Sequence, residues 1–409
     1  MGPLESSDAA AARLGAESTS GLSGAPLPTD ERGIVVARPH RHGARRENGR
    51  AIGRTAGQPR GESVEDRVYA ALDLGTNNCR LLIARAAAGE GAGFRVVDSF
   101  SRIVRLGEGL SRSGVLSAAA IERTIEALAV CRGKIDARGV TRARFIATEA
   151  CRSAENGAEF LERAYAATGL DLEIVDRETE AHLAAAGSAS LADAAAASVV
   201  LFDIGGGSSE IVWLGQPGRG GALNGARVHA PDAALRERVR YWVSLKLGVV
   251  TLAEKFGGLE VSDATFEAMV EYVSGELKEF VVKVGEERRC RNFHLLGTSG
   301  TVTTIAGVFL GLSRYDRRRV DGLWMSSEDV SSAVSSLRKM TYDQRASNGC
   351  IGAGRADLVL AGCAILEAIR RAFPAERVRI ADRGLREGIL MQLIHADRSG
   401  ARSAAGTTR

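Results

Sequence analysis

Val199-Val-Leu-Phe-Asp203-Ile-Gly205-Gly206-Gly207-Ser208-Ser209-Glu210-Ile-Val-Trp-Leu214 reads as a buried strand, a glycine turn and a return strand. Three glycines in succession weaken a regular element by roughly 0.5–1 kcal/mol each relative to alanine. They make sense where the backbone must come close to a ligand. Small residues let successive N–H groups converge on an anion, and the acids at either end, Asp203 and Glu210, suit a Mg2+ ion bridged to phosphate oxygens. The plainer alternative is a tight turn capped by Asp203, with Glu210 an exposed strand residue.

The device occurs twice. Val68-Tyr-Ala-Ala-Leu-Asp73-Leu-Gly75-Thr76-Asn77-Asn78-Cys79-Arg80-Leu-Leu-Ile-Ala-Arg85 repeats the order of apolar strand, Asp-x-Gly, small polar loop and apolar strand. Duplication of this kind predicts a two-lobed α/β protein with a cleft between the lobes. In the first copy Gly75, Thr76, Asn77 and Asn78 supply the anion nest, and Arg80 adds a planar fork suited to phosphate oxygens. A third turn, Gly297-Thr298-Ser-Gly-Thr301, follows the apolar Phe293-His-Leu-Leu and opens a helix. Free N–H groups at that helix N-terminus suit an anion as well.

Between these loops the pattern alternates. Strands are predicted at Phe94–Asp98, Phe145–Ala147, Leu172–Val175, Phe293–Leu296 and Val378–Ala381. Helices are predicted from Ser117 as N-cap to Ala137, over Asn156–Thr168 with Gly169 at the C-cap, over Arg177–Leu191, near 262–283, 300–310, 326–339 and 355–373, and at Leu385–Ala396. Residues 215–238, rich in Gly, Ala and Arg, read as a mobile hairpin insertion.

Composition bounds the rest. The chain has 409 residues, 45% hydrophobic and 25% charged, with a net charge of +4. That suits an ordinary globular protein of about two domains. No apolar run reaches the ~18–20 residues of a membrane helix, and the start shows no secretory signal. Six cysteines (79, 131, 151, 290, 350, 363) occur without a CxxC pair, which points to reduced thiols and a cytoplasmic location. Residues 1–66 hold five of the eight prolines and no Phe, Trp or Tyr, and are expected to be a disordered, Arg-rich N-terminal extension. The segment 397–409 is expected to be a disordered tail. The remainder is near neutral, giving no sign of a DNA or membrane partner. Arg314 and Arg317–Arg319 form its densest basic run, read as a solvated loop or, more sharply, as a polyanion track leading to the cleft.

Five ordered motifs narrow the reading: Asp73-Leu-Gly-Thr-Asn77, Ala147-Thr-Glu-Ala-Cys-Arg152, Arg177-Glu-Thr-Glu-Ala181, Asp203-Ile-Gly-Gly-Gly-Ser-Ser-Glu210 and Gly384-Leu-Arg-Glu-Gly388. Together they resemble the exopolyphosphatase / guanosine pentaphosphate phosphohydrolase (Ppx/GppA) family, in a short two-domain form without the C-terminal helical domain of longer members. The resemblance covers about 68–396. It implies duplicated actin-like ATPase (ribonuclease H-like) lobes, here 67–180 and 181–396, with the final helix packing on the first lobe. It also implies a Mg2+ cofactor, hydrolysis of inorganic polyphosphate or guanosine pentaphosphate (pppGpp), and by analogy a homodimer.

Carried over by position, the resemblance makes Glu180 the catalytic base. It makes Asp203 and Glu210 the metal ligands, with a share in positioning water, and Arg80, Arg152 and Arg355 the phosphate-binding arginines. The sequence departs from the family pattern at Gly75-Thr-Asn-Asn78, where an Asn78 amide replaces a hydroxyl donor. It departs again at Ser244-Leu-Lys-Leu-Gly248 and Asn348-Gly349, where prolines are missing. From the residues alone, Glu180 in the first turn of a helix is ordinarily a dipole-favoured surface acid. An actin-like ATPase or sugar kinase, and a non-catalytic sensor of guanosine tetraphosphate or polyphosphate, are the rival readings. Retention of Glu180, Asp203 and Glu210 argues against the sensor.

Overall fold

The computed structural model describes residues 35–36, 63–89, 93–216, 235–289 and 292–406. Most of the N-terminal extension and of the insertion expected at 215–238 lies outside the described residues.

Runs of apolar residues make the inner strands, which are buried nearly throughout, while the edge strands keep exposed positions. In the first lobe these are β2 (Val68–Leu74), β3 (Asn78–Ala86), β4 (Phe94–Ile103), β5 (Arg142–Ala147) and β6 (Glu173–Ile174). β3 runs antiparallel between β2 and β4, while β5 lies parallel to β2 and β6 parallel to β5. The two-residue strand β1 (Val35–Val36) pairs antiparallel with Arg142–Ala143 at the edge.

The second lobe repeats this plan. β7 (Ser198–Ile204), β8 (Ser209–Leu214) and β9 (Val239–Leu245) form the antiparallel ribbon. β10 (Phe293–Thr298) and β12 (Arg377–Ala381) follow in parallel, with β11 (Trp324–Ser326) antiparallel at the far edge. Both sheets therefore share the ribonuclease H-like order: three antiparallel strands, then two parallel ones. β1, which lies in the stretch expected to be disordered, β9 and β11 were not foreseen; β9 sits beyond the Gly-rich segment that obscured its pattern.

Helix α1 (Ala118–Ala137) and α3 (Gly157–Thr168) cover the outer face of the first sheet. Ser117 caps α1 by accepting from the Ala120 N–H, and Gly169 ends α3 in the left-handed conformation, as the sequence predicts. In the second lobe α5 (Val249–Phe256), α6 (Asp263–Val284), α7 (Gly300–Phe309), α8 (Ser327–Lys339) and α9 (Val359–Ala372) enclose the larger core.

Two helices join the lobes. α4 (Arg177–Ser188) lies between the sheets, sending Leu183 toward the first core and Ala181 and Ala185 toward the second. The boundary expected at 180/181 therefore falls inside one helix. α10 (Leu385–Gly406) returns to the first sheet, burying Ile389, Leu390, Leu393 and Ile394 against Tyr69, Leu82 and Ile146. α4 and α10 cross where neither can carry a side chain: a Cβ on Gly388 would stand 2.1 Å from the Leu183 carbonyl oxygen, and one on Gly187 would stand 1.9 Å from that of Gly384. That close approach explains the last glycine of Gly384-Leu-Arg-Glu-Gly388.

Two expected disordered stretches are corrected. Residues 63–66 are ordered because Val64 packs into the cluster beneath α10. The segment beyond Ala396 continues α10 as far as Gly406. Asp397 accepts from Arg67 Nη1 at 2.6 Å and from the Tyr69 hydroxyl at 3.0 Å, with Arg142 at 3.4 Å, so buried charge pins the helix to β2 and β5. Across the cleft, Arg105 of the first lobe makes a two-pronged pair with Asp357 at 2.8 and 2.9 Å, and Gly109 N–H donates to Glu254 at 2.7 Å.

Candidate active site

Each duplicated hairpin ends with an aspartate opposite a charged partner: Asp73 faces Arg80 on the β2–β3 ladder, and Asp203 faces Glu210 on the β7–β8 ladder. The turns close identically, Gly75 N–H to Asn78 O and Gly205 N–H to Ser208 O, both 2.9 Å. Neighbouring segments hold the loop carbonyls. Thr76 O and Asn77 O accept from Gly107, Val104 and Arg105, and Gly205 O and Gly206 O accept from Val249 and Val250 at the start of α5. A trans peptide points its N–H opposite its carbonyl. The amides of Asn77, Asn78, Gly206 and Gly207 therefore face away from those anchors.

The loops meet. A Cβ on Gly207 would lie 2.6 Å from Thr76 Oγ1, and one on Gly206 would lie 2.9 Å from Thr76 Cβ and 3.1 Å from Asn77 N, so only glycine allows the approach. A cavity of about 120 Å³ lies between the lobes. Gly75, Thr76, Asn77, Asn78, Arg80, Glu180, Asp203, Gly205, Gly206, Gly207, Ser208, Glu210 and Arg355 all line it, as do Asp73, Thr148, Ser299, Gly300, Thr301 and Thr304.

The cavity has a cationic wall. Arg80 from the first lobe and Arg355 from the second converge on the N-terminus of α7: a Cβ on Gly300 would stand 3.4 Å from Arg80 Nη2 and 3.3 Å from Arg355 Nη1. Arg355 is held by Thr304 Oγ1 and by the Ile351 and Cys350 carbonyls. Burial, then repulsion from Arg80, pulls the Arg355 guanidinium below its ordinary value.

Facing it is an anionic wall of Asp73, Glu180, Asp203 and Glu210. Burial pushes Asp203 up to about 6, with Arg80 opposing and Asp73 adding to the rise. Burial pushes Glu180 up to about 7 against the pull of Arg152, with Asp73 and Asp203 adding. Glu210 is raised by burial and by the charges of Glu180 and Asp203, although Ser244 Oγ donates to its Oε1 at 2.8 Å. Asp73 is raised by burial, with Arg80 opposing.

Four sequence-predicted residues lie outside the cavity lining. Ser209 is fully buried and donates to the Leu247 carbonyl. Gly297 packs on Phe202, and Thr298 donates to the Arg383 carbonyl, so Ser299–Thr301, one step further along, provide the third turn's contribution. Arg152 is the fourth: its guanidinium is taken up by Glu149, Glu180 and the Val175 carbonyl rather than facing the cavity. Asp73 was missed as a site residue, although its equivalence to Asp203 in the duplicated hairpin was the signal that marks it. Of the basic run, Arg317 is bound to Glu387 at 3.0 Å and to the Asp382 carbonyl, while Arg314, Arg318 and Arg319 are exposed.

The donors fit a divalent cation of the Mg2+ kind. Among the described residues no cluster of three or more His, Cys, Asp or Glu cages a metal. Mg2+ is ordinarily held by one or two carboxylates together with water and substrate phosphate. Asp203 and Glu210 oppose each other on the β7–β8 ladder with no cation between them in the register, and Asn77 Oδ1 is a buried acceptor with no partner among the described residues.

A profile described as the Ppx/GppA phosphatase family matches residues 82–397. The chain belongs to that family. Among its Ppx/GppA relatives, the guanosine-5'-triphosphate,3'-diphosphate pyrophosphatase of Aeromonas hydrophila is 30% identical over 329 residues, covering 80% of this chain and 59% of that protein. The chain thus spans a little over half the length of that relative. Exopolyphosphatase 2 of Mycobacterium tuberculosis is 27% identical over 334 residues, covering 79% of this chain and 98% of that protein. The solved structure of the Aquifex aeolicus Ppx/GppA family member superposes with a TM-score of 0.61 at 26% identity, covering 82% of this chain and 98% of that one. The two-lobed, actin-like architecture is that of the Ppx/GppA structures. Among the described residues no helix is long and apolar enough to cross a membrane.

Proposed function

We propose that this Ppx/GppA protein hydrolyses the terminal phosphoanhydride of inorganic polyphosphate, releasing orthophosphate. The observation that carries the reading is the convergence of Arg80 and Arg355, from opposite lobes, at the N-terminus of α7. Two guanidinium groups brought side by side repel unless an anion lies between them, and phosphate oxygens match their forked donors.

In this reading the terminal phosphate sits between the cationic wall and the two glycine loops. The amides of Asn77, Asn78, Gly206 and Gly207 donate to its oxygens, and Arg80 and Arg355 neutralise them. Asp203 and Glu210 would hold Mg2+, which when bound supplies positive charge against the phosphate. Glu180 takes a proton from a water attacking phosphorus on the side opposite the bridging oxygen. The P–O bond to that oxygen breaks, and the shortened chain departs. As a base Glu180 must be ionised, and a carboxyl near 7 is well matched to that task at neutral pH.

Inorganic polyphosphate is favoured because, among the described residues, no aromatic side chain lines the cavity to offer a nucleobase a stacking surface. The near-complete span of the relative named Exopolyphosphatase 2 supports the same choice. A second reading, removal of the terminal phosphate of pppGpp, draws on the name of the Aeromonas relative. Orthophosphate release in Mg2+ from polyphosphates of several lengths, pppGpp and ATP separates them. Higher kcat/KM on polyphosphate supports the first reading, higher kcat/KM on pppGpp the second, and release from ATP alone would reject both.

A further inference from the structure

We propose that Arg152 is a positioning residue that fixes the carboxylate of Glu180, and is not itself a ligand of the substrate phosphate. The proposal rests on the reading of Glu180 as the base.

Two helices supply a row of four alternating charges, Arg177, Glu149, Arg152 and Glu180. The short helix α2 (Glu149–Ser153) carries Glu149 and Arg152, three residues apart, and the first turn of α4 carries Arg177 and Glu180 at the same spacing. Residues so spaced share a helix face. The bonds run along the row. Arg177 Nη2 donates to both oxygens of Glu149 at 2.9 Å, Arg152 donates to Glu149 Oε2 from Nε at 3.2 Å and from Nη2 at 2.6 Å, and Arg152 Nη2 donates to Glu180 Oε2 at 3.0 Å. Ser153 Oγ adds a bond to Glu149 Oε1 at 2.6 Å, and Arg152 Nη1 donates to the Val175 carbonyl at 2.5 Å.

Glu149 is only 6% exposed and Glu180 8%, so the two acids of the row are internal, while Arg177 reaches the surface. The row's members divide by location: Glu180 lines the cavity and Arg152 does not. One oxygen of Glu180 is held by Arg152, and Oε1 has no hydrogen bond among the described residues. A base held by one oxygen and open at the other is oriented toward its water. The forked guanidinium is needed because one donor set grips Glu149 while the same group reaches Glu180. A lysine ammonium has no such fork.

The test is a cycle of Arg152→Gln and Glu180→Gln, measured as kcat and KM for orthophosphate release from polyphosphate in Mg2+. A displaced catalytic group costs about 100-fold. R152Q is therefore expected to lower kcat about 10- to 100-fold while KM stays within about twofold, and to add less than about twofold in the E180Q background. R152K is expected to restore part of kcat. A KM raised about tenfold with kcat retained, or the same loss in both backgrounds, would overturn the proposal in favour of phosphate binding. If E180Q alone keeps the wild-type kcat, it is the base reading that fails. Should R152Q not fold, Glu149→Gln removes the anchor instead. A lower kcat at constant KM is expected, and a folded E149Q with wild-type kcat would overturn the proposal.

Discussion

Arg80 and Glu210 stand on the same rung of the two duplicated hairpins, Arg80 facing Asp73 across the first ladder and Glu210 facing Asp203 across the second. Directly opposed residues of an antiparallel pair project from the same face. One lobe therefore presents an acid with a cation and the other an acid with an acid, and under the proposed function this divides phosphate binding from cation binding. Hydrogen bonds to charged groups are worth about 1.5–3 kcal/mol. Arg80→Gln is expected to raise KM for polyphosphate about 10- to 150-fold. Glu210→Gln is expected instead to raise the Mg2+ concentration needed for half-maximal rate. Steady-state kinetics over a grid of substrate and Mg2+ separates the two, and identical effects from both variants would count against the division.

The contact between the glycine loops sets a steric prediction. A methyl on Gly207 would intrude on Thr76 Oγ1 and lie 3.2 Å from Glu149 Cγ. Gly207→Ala is expected to lower stability by about 1–3 kcal/mol through overpacking, and to weaken substrate binding by forcing the loops apart. Thermal melting and KM check both effects. An unchanged Tm with unchanged KM would mean that the loops do not meet as described.

The tail offers a test of the corrected helix end. Asp397, with its side chain 7% exposed, pairs with Arg67 and Tyr69. Arg67 is about a third exposed, so the hydrogen bonds to the Asp397 charge are the safer measure, at about 1.5–3 kcal/mol each. Asp397→Ala is therefore expected to lower Tm by many degrees, whereas a disordered tail would give no change.

The raised carboxyls fix the sign of a pH effect. Burial, opposed by Arg152, puts Glu180 at about 7 in the fold against 4.5 for the ordinary group. A group whose folded pKa lies above its unfolded one binds protons more tightly in the native state. Its contribution is therefore full below about 4.5 and is lost as pH rises through about 7. Glu180→Gln does not titrate, so in metal-free buffer its Tm relative to wild type is expected to climb across that window. A flat difference would contradict the raised value. Catalysis should run the other way, with kcat/KM falling as pH drops below about 7.

Much of this was legible in sequence, and the reasons are local. Asp-x-Gly between two apolar strands marked both hairpins, and Ser117 and Gly169 marked helix ends, because these signals act over a few residues. The bonds of Arg152 to Glu149 and Glu180 were not legible in sequence because these partners come from two different helices and meet only in the folded protein. At the third turn Ser299–Thr301 line the cavity and Gly297 and Thr298 do not, a distinction hidden in sequence because a glycine pressed on a core ring and a glycine facing a cavity look alike in a string of letters. Order past Ala396 was missed because the bonds that hold Asp397 are made to Arg67 and Tyr69, more than 300 residues away in the chain.

The most direct test is orthophosphate release from long-chain polyphosphate in Mg2+, wild type beside Glu180→Gln. General base catalysis contributes about 10²- to 10⁴-fold. Wild type is expected to release phosphate, and folded E180Q to do so slower by that factor. Release by E180Q at the wild-type rate, or none by wild type, would contradict the central claim that this cleft hydrolyses a terminal phosphoanhydride with Glu180 as its base.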